Sequence, residues 1–404
     1  MLIYNGSKIY KKGLFFLFFF TFIGYYAVLL LFFNIGLGET SRQLTIPVRL
    51  SIVVVLLVLV MSNLRILRKA PWLGCFFIFS FCYILRIFLD YVNQEYYYVP
   101  VESILLFFVS FAFLPFVCFS ILPYHISLNV SMFKGFAIGG ISFSLLALIF
   151  YSKYIGVVSR LGGTATDEST LSPLSLSYSS SMIIGCFIFY LLFNKVKRIN
   201  KIILLIGIII SVIPFFLGAS RGSIFSIFIP FIVYIVAQNS IVSWIKYFFG
   251  LIIFSSFLIF LDLYFKSGLI ERFLSIGQDI DSGSSSASRI GIWKTSFNQF
   301  LEYPIIGDKL RVNNWEGYAH NVIVESFQVV GILGTIPLLI LFYKAWKATY
   351  NLVKVEKKYF WIGVIFIQAF CMNMFSGSIY TAVWLWSSMA VVLSIEQSLK
   401  QKIY

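Results

Sequence analysis

Residues 13–34, GLFFLFFFTFIGYYAVLLLFFN, contain no charged side chain and match the roughly 20 apolar residues that a helix needs to cross a bilayer. The run is too long for a signal peptide and no small-residue cleavage site follows it, so it is expected to stay in the protein as a first span. Runs of the same kind recur as far as residue 396. Hydrophobic residues make up 60% of the 404, charged residues only 12%, and mean hydropathy is +0.92. A soluble domain could not hide that much apolar surface, because the fraction it buries is limited by its size. The short alternating strands of a membrane β-barrel are absent from the pattern. The expected fold class is therefore all-α: a polytopic integral membrane protein and a single membrane domain over 1–404. About twelve spans read at 13–34, 45–64, 72–92, 101–122, 134–155, 176–194, 202–218, 223–238, 244–265, 321–343, 359–375 and 380–396. The segment 223–238 is short enough to be partly re-entrant. Cys75, Cys82, Cys118, Cys186 and Cys371 all fall inside apolar runs with no pair motif or zinc spacing, so they read as packing residues.

The net charge of +15 would suggest nucleic acid as the partner of a soluble chain. Its distribution says otherwise. With residues 1–12 in the cytoplasm and loops alternating from there, the inner loops hold 19 of the 31 basic residues against two acids, Glu356 and Glu396. The other 12 basic residues share the outer loops and the membrane with 14 acids. That bias puts both termini in the cytoplasm. The basic excess is an orientation signal with some attraction to anionic lipid, and no nucleic-acid partner is expected.

Two outer segments are polar. The long one, 266–320, precedes the tenth span; loops of that length are usually functional or disordered. Its Ser/Gly tract at 282–288 reads as flexible, and the IGIWKTSFNQFL that follows has the apolar spacing of an amphipathic helix on a membrane surface. The shorter, 156–175, contains RLGGTATDESTLSP. The chemistry is therefore sought on the outer face.

GASRGS at 218–223 puts Arg221 at a span boundary among small residues, which leave a guanidinium open to a bulky anion. A snorkelling arginine at a helix end is the plainer reading, but an outer end needs no positive charge for orientation, which favours function. Arg289 opens the amphipathic stretch. Its planar fork suits phosphate, though it also fits an ordinary loop arginine, as does Arg160 at the head of the shorter loop. His320 precedes Asn321, a good N-cap, and then a helix with Asn321, Glu325 and Gln328 at i, i+4 and i+7, a polar stripe at the outer end of a span. Gly331, Gly334 and Thr335 further along supply small residues for helix packing. An imidazole suits general-base work near neutrality; an interfacial histidine bonded to a loop carbonyl fits equally. His125, in an inner loop, reads as incidental. Arg86 and Asp90, at i, i+4, can neutralise each other within one helix; Arg49 and Glu102 near outer span ends could line a cavity or pair, and a structural role is the favoured reading for all four. No GxxxxGK[ST] loop is present. Asp279 and Asp281 have DxD spacing but sit in the Ser/Gly tract, and no inverted repeat with broken helices points to a secondary transporter.

SRG at a span boundary, Arg289 and Trp293 leading an amphipathic helix to Pro304–Gly307, and AHN followed nine residues later by GILG together resemble the bacterial O-antigen polymerase and O-antigen ligase superfamily. RLGG and LSP (Leu171–Pro173) in the shorter loop look like the polymerase branch. The resemblance spans the architecture of the chain, with its motifs mainly in 218–334. It implies a GT-C-like architecture in the bacterial inner membrane, with the active site facing the periplasm. It also implies a membrane glycosyltransferase that joins glycans carried on undecaprenyl diphosphate. In that reading Arg221 and Arg289 bind the diphosphate and stabilise its growing charge, while His320 takes the proton of the acceptor hydroxyl. Arg160, Tyr318, Asn321 and Glu325 help to hold the substrate. No metal and no cofactor is implied, so activity in chelator is expected. Partners are the lipid-linked glycan, membrane lipids and a protein that regulates chain length. The alternatives are a ligase, which transfers the glycan to lipid A–core, and, less favoured, a flippase for lipid-linked sugars.

Overall fold

The computed structural model describes residues 8–35, 41–64, 69–95, 99–124, 128–157, 161, 171–238, 241–274, 285–315 and 317–403. Among these residues there is no strand, and the chain is all-helical. Each of the twelve expected apolar segments is helical. Nine helices among the described residues are long and apolar enough to cross a membrane, or ten if a bent pair is one span. That pair is α1 (Lys8–Thr21) and α2 (Gly24–Asn34), which meet at 55°. Then follow α3 (Ser41–Met61), α4 (Leu73–Val92), α5 (Val101–Phe107), a π-helical stretch Phe108–Phe113, α6 (Leu114–Ile121) and α7 (Asn129–Tyr151). Next come α8 (Pro173–Phe193), α9 (Arg198–Gly218), α10 (Arg221–Ala237), α11 (Ile241–Phe265) and the short α12 (Leu269–Leu274). The amphipathic α13 (Ser285–Glu302) precedes α14 (Val322–Val355), α15 (Phe360–Phe375) and α16 (Val383–Ile403).

Small residues let the helices approach. A Cβ on Gly139 of α7 would come 2.8 Å from the backbone nitrogen of Gly24 in α2. Hydroxyl pairs join α8 to α10, Ser177 to Ser223 at 2.5 Å and Ser226 to Ser181 at 2.8 Å. In an apolar surround such small and hydroxylated contacts replace the hydrophobic drive of a water-soluble bundle. Large aromatic side chains fill the rest, with Trp386 among Phe76, Phe79 and Phe116. The apolar part of α8 is 78% buried and that of α11 only 6%, so α8 lies inside the bundle and α11 on its outside.

The two ends of the bundle are distinct. At one end the Tyr10 hydroxyl donates to the Pro123 carbonyl, Trp361 to Asn129, Asn194 to the Lys358 carbonyl, and Lys357 to Gln238. At the other, Leu310 N–H donates to Asp90, Ile379 N–H to Glu325 and Leu161 N–H to the Leu217 carbonyl. Segments expected on the inner and outer faces are thus sorted to opposite ends. Two expectations change in detail. The Ser/Gly tract expected to be flexible is helical from Ser285, while 282–284 lie outside the described residues. Also, α14 continues well past residue 343, to Val355, carrying Lys344, Lys347 and Lys354 beyond the apolar part.

Candidate functional site

The site is assembled around a break in α14. Gly331 has φ +55° and ψ −160°, a conformation that only glycine adopts readily. It is not a packing glycine, as its spacing to Gly334 suggests; a Cβ there would lie 2.5 Å from the Ile305 carbonyl. Residues 304–307 insert at the break and complete its hydrogen bonds. Ile332 and Leu333 N–H donate to the carbonyls of Pro304 (2.9 Å) and Ile305 (3.2 Å), and Asp308 N–H donates to the Gln328 carbonyl at 2.7 Å. Gly307, at φ +76°, has no room for a Cβ beside Val329 and Val330. Arg86 of α4 closes the joint by donating to the carbonyls of Val329 (3.2 Å), Ile306 (3.2 Å) and Gly307 (2.7 Å). Arg86 and Asp90 are 3.9 Å apart, at the limit of an ion pair, and use their hydrogen bonds on this loop, Asp90 accepting from Leu310 N–H at 2.8 Å.

The polar stripe of α14 faces the same loop. Asn321 caps the helix, its side-chain oxygen accepting from Ile323 and Val324 N–H at 3.0 and 3.1 Å. Gln328 donates to the carbonyls of Lys309 and Arg311, 2.9 and 2.8 Å away. Glu325 is buried, and both its oxygens lie 3.2 Å from Ile379 N–H. The Asn321 oxygen is thus committed to backbone donors, while the Glu325 carboxyl shares one backbone N–H and lies beside the hydroxyls of Tyr83 and Ser378. On the other side Gln299 of α13 donates to Asp308 and accepts from Asn313 N–H. The Trp293 indole donates to the Ala319 carbonyl at 2.8 Å, fixing the residue before His320. Ile292, Ser296 and Gln299 turn inward, while Ile290, Phe297 and Leu301 are exposed. The exposed face of α13 thus carries an apolar edge beside the polar side chains of Lys294, Asn298 and Glu302, the pairing an interfacial helix needs.

His320 is held at φ +56°, partly exposed, with its ring 4.5 Å from that of Tyr318. Burial first and then the positive charge of Arg289 hold its imidazole below the ordinary 6.5. The field of Arg289 also reaches Tyr178 of α8. The Tyr178 hydroxyl lies against Gly222, where any Cβ would strike it. That contact ties the group to GASRGS. Ala219 takes a left-handed φ of +40°, Ser220 is the N-cap and Arg221 the first residue of α10. The Ser220 N–H donates to Ser177 at 3.4 Å, and Gly218 leaves space for the Pro173 carbonyl. Arg221 in turn couples to Arg272 of α12, whose pKa is lowered by burial and then by Arg221, against the pull of Asp262 and Glu271. Asp262 accepts from Ser267 and from Leu269 and Ile270 N–H, which fixes the start of α12.

His320 and Tyr318 thus meet at one end of the bundle, where Trp293 fastens the helix of Arg289 to Ala319, and Tyr178 lies against the GASRGS segment that carries Arg221. Arg160 lies outside the described residues, as do His125, Asp279 and Asp281. Arg272 and Tyr178 were not legible as site residues: one is a lone arginine in a polar loop and the other a tyrosine in an apolar helix. Trp293 had a signal, since an indole that packs in an interface also needs an acceptor. Chemically, a neutral imidazole in the field of a guanidinium suits proton removal from a hydroxyl next to a developing anion. No family model matches the chain, and no curated protein matches it.

Proposed function

We propose that this chain is a polymerase of lipid-linked glycan repeat units, of the O-antigen polymerase type. It is read as twelve spans in a GT-C-like arrangement in the bacterial inner membrane, with both termini cytoplasmic and the site at the periplasmic face. The observation that carries the reading is the hydrogen bond from Trp293 to the Ala319 carbonyl, which fastens the helix that carries Arg289 to the residue before His320. A base and an anion-stabilising group are needed together when a hydroxyl attacks an anomeric carbon whose leaving group is a diphosphate. The acceptor oxygen forms the new glycosidic bond. The bond from the anomeric carbon to the diphosphate oxygen breaks, and its electron pair leaves with undecaprenyl diphosphate, facing Arg221 and Arg289. His320 takes the hydroxyl proton. Arg272, coupled to Arg221, adds a third cation for the diphosphate. Guanidinium forks can do the charge neutralisation that sugar-diphosphate enzymes often assign to a divalent ion, so activity is expected in chelator. A regulator of chain length is the expected protein partner.

The test is a gel of surface polysaccharide from a strain lacking the protein. Core carrying one repeat unit without a ladder is the expected result. Bare core with polymer retained on its lipid carrier would move the acceptor to lipid A–core and make the protein a ligase. An unaltered ladder would sink both.

A further inference from the structure

Arg49, about two turns into α3, stands apart from the groups above. Its guanidinium lies between the rings of Tyr25, 4.3 Å away, and Phe111, 4.8 Å away. Nε and Nη1 are shut off from solvent and have no acceptor among the described residues, although the residue as a whole keeps some exposure. Among the described residues the ionisable groups that act on it are the phenols of Tyr25, which also accepts a hydrogen bond from it, and of Tyr26, and no ion pair with Glu102 is made. A charge at such depth is costly while donors stay unpaired. Held flat by two rings with donors idle, it is preorganised for a planar, bidentate anion. Phe111 belongs to the π-helical stretch between α5 and α6, a distortion that recurs at functional sites.

From Phe111 a line of rings runs to the catalytic histidine. Phe107 stacks on Phe111 at 5.4 Å, Tyr380 on Phe107 at 6.4 Å, Tyr318 meets Tyr380 edge-on at 6.0 Å, and His320 follows at 4.5 Å. Phe107, Phe111 and Tyr318 are each partly exposed, while Tyr380 between them is buried and supports them. Aromatic faces of this kind offer apolar platforms to the C–H faces of sugar rings.

We infer that Arg49 is the phosphate-binding end of a second subsite. It holds a lipid-linked oligosaccharide by its diphosphate, lays the sugars along the exposed edges of Phe111, Phe107 and Tyr318, and brings a hydroxyl to His320. This rests on the function proposed above. Joining two lipid-linked units needs two diphosphates bound at once, and the Arg221, Arg272 and Arg289 group serves the one that leaves. The diphosphate at Arg49 breaks no bond; it anchors the acceptor.

The test is equilibrium binding of a radiolabelled polyprenyl diphosphate to the purified full chain in lipid nanodiscs. Wild type is expected to bind about two per chain, and Arg49→Gln and the double variant Arg221→Gln with Arg289→Gln about one each. Arg49→Lys keeps the charge between the rings but loses the fork; it is expected to weaken one of the two sites about tenfold with an unchanged melting temperature. This second variant decides the matter if Arg49→Gln does not fold. Inorganic pyrophosphate, added as competitor, separates the sources of the anion. Displacement of the Arg49-dependent lipid only at large excess supports a lipid-linked ligand, whereas displacement at equal concentration would make this a free-diphosphate site and overturn the acceptor role. Two sites in both Arg49 variants would overturn the inference, as would a single wild-type site lost only with Arg221 and Arg289; either leaves the proposed function standing. No binding by wild type would instead sink that function.

Discussion

His320 carries the sharpest expectations at the scale of single residues. Its left-handed backbone costs an L-residue about 1–3 kcal/mol, and the Trp293 hydrogen bond to Ala319 holds the chain in that conformation. Replacing it with alanine is expected to lower turnover by about 10²–10⁴-fold while the protein still inserts and melts as wild type does; normal product from that variant would remove it as the base. The pH profile tests its neighbour. In the proposed reaction the working form is the neutral imidazole, and burial and Arg289 both disfavour its protonation, so neutral base is expected to persist below pH 6.5 and the acid limb of kcat/KM to lie under that value. Deleting the charge with Arg289→Gln raises the imidazole pKa and moves the limb upward. Arg289→Lys is expected to leave the limb in place but slow the reaction, because an ammonium keeps the charge and lacks the fork. An acid limb that does not move in Arg289→Gln would mean that the titrating group is not next to Arg289.

Among the elements, the joint between residues 304–307 and the break in α14 decides whether those residues meet. Gly331→Ala is expected to lower the melting temperature and cut turnover more than tenfold, since the methyl must displace backbone and the φ/ψ pair is strained by about 1–3 kcal/mol. Arg86→Gln removes charged donors from the three carbonyls it serves, each such bond being worth about 1.5–3 kcal/mol. It is expected to lower turnover without preventing insertion, measured as product formed per inserted chain. A wild-type rate in both variants would detach the joint from the chemistry. The helices themselves could be read from sequence because an apolar run of bilayer length has few other fates. The joint could not. Gly331 and Gly334 look like a small-residue packing stripe, and nothing in their spacing says that Pro304–Gly307, more than 20 residues earlier, will occupy the gap. Asn321 was legible as a cap from local chemistry alone. Glu325 and Gln328 share its stripe, but their partners, Ile379 and Lys309–Arg311, come from segments that periodicity does not connect. His320 and Arg289 were legible by residue type, and their proximity only by the fold.

Across the whole molecule, the separation of the two ends turns a charge count into a geometry. The basic loops meet around Asn129, Lys357 and Lys358, and the candidate site lies at the end with Asp90, Glu325 and Leu310. A membrane with anionic lipid on its inner leaflet holds such a molecule one way round. In the proposed orientation the exposed apolar side chains of α13, Phe297 and Leu301, together with Ile305 and Ile306, are expected at the outer interface, level with a lipid head group. Single cysteines in a cysteine-free background test this directly. Trp315→Cys, exposed in the site loop, is expected to react with a membrane-impermeant thiol reagent in intact spheroplasts; Lys347→Cys, exposed on the extension of α14, is expected to react only after the membrane is opened. The reverse pattern would put His320 in the cytoplasm. A glycan would then have to be joined before its lipid carrier is turned over, so the reaction proposed for the periplasmic face would fail even with every hydrogen bond of the site intact.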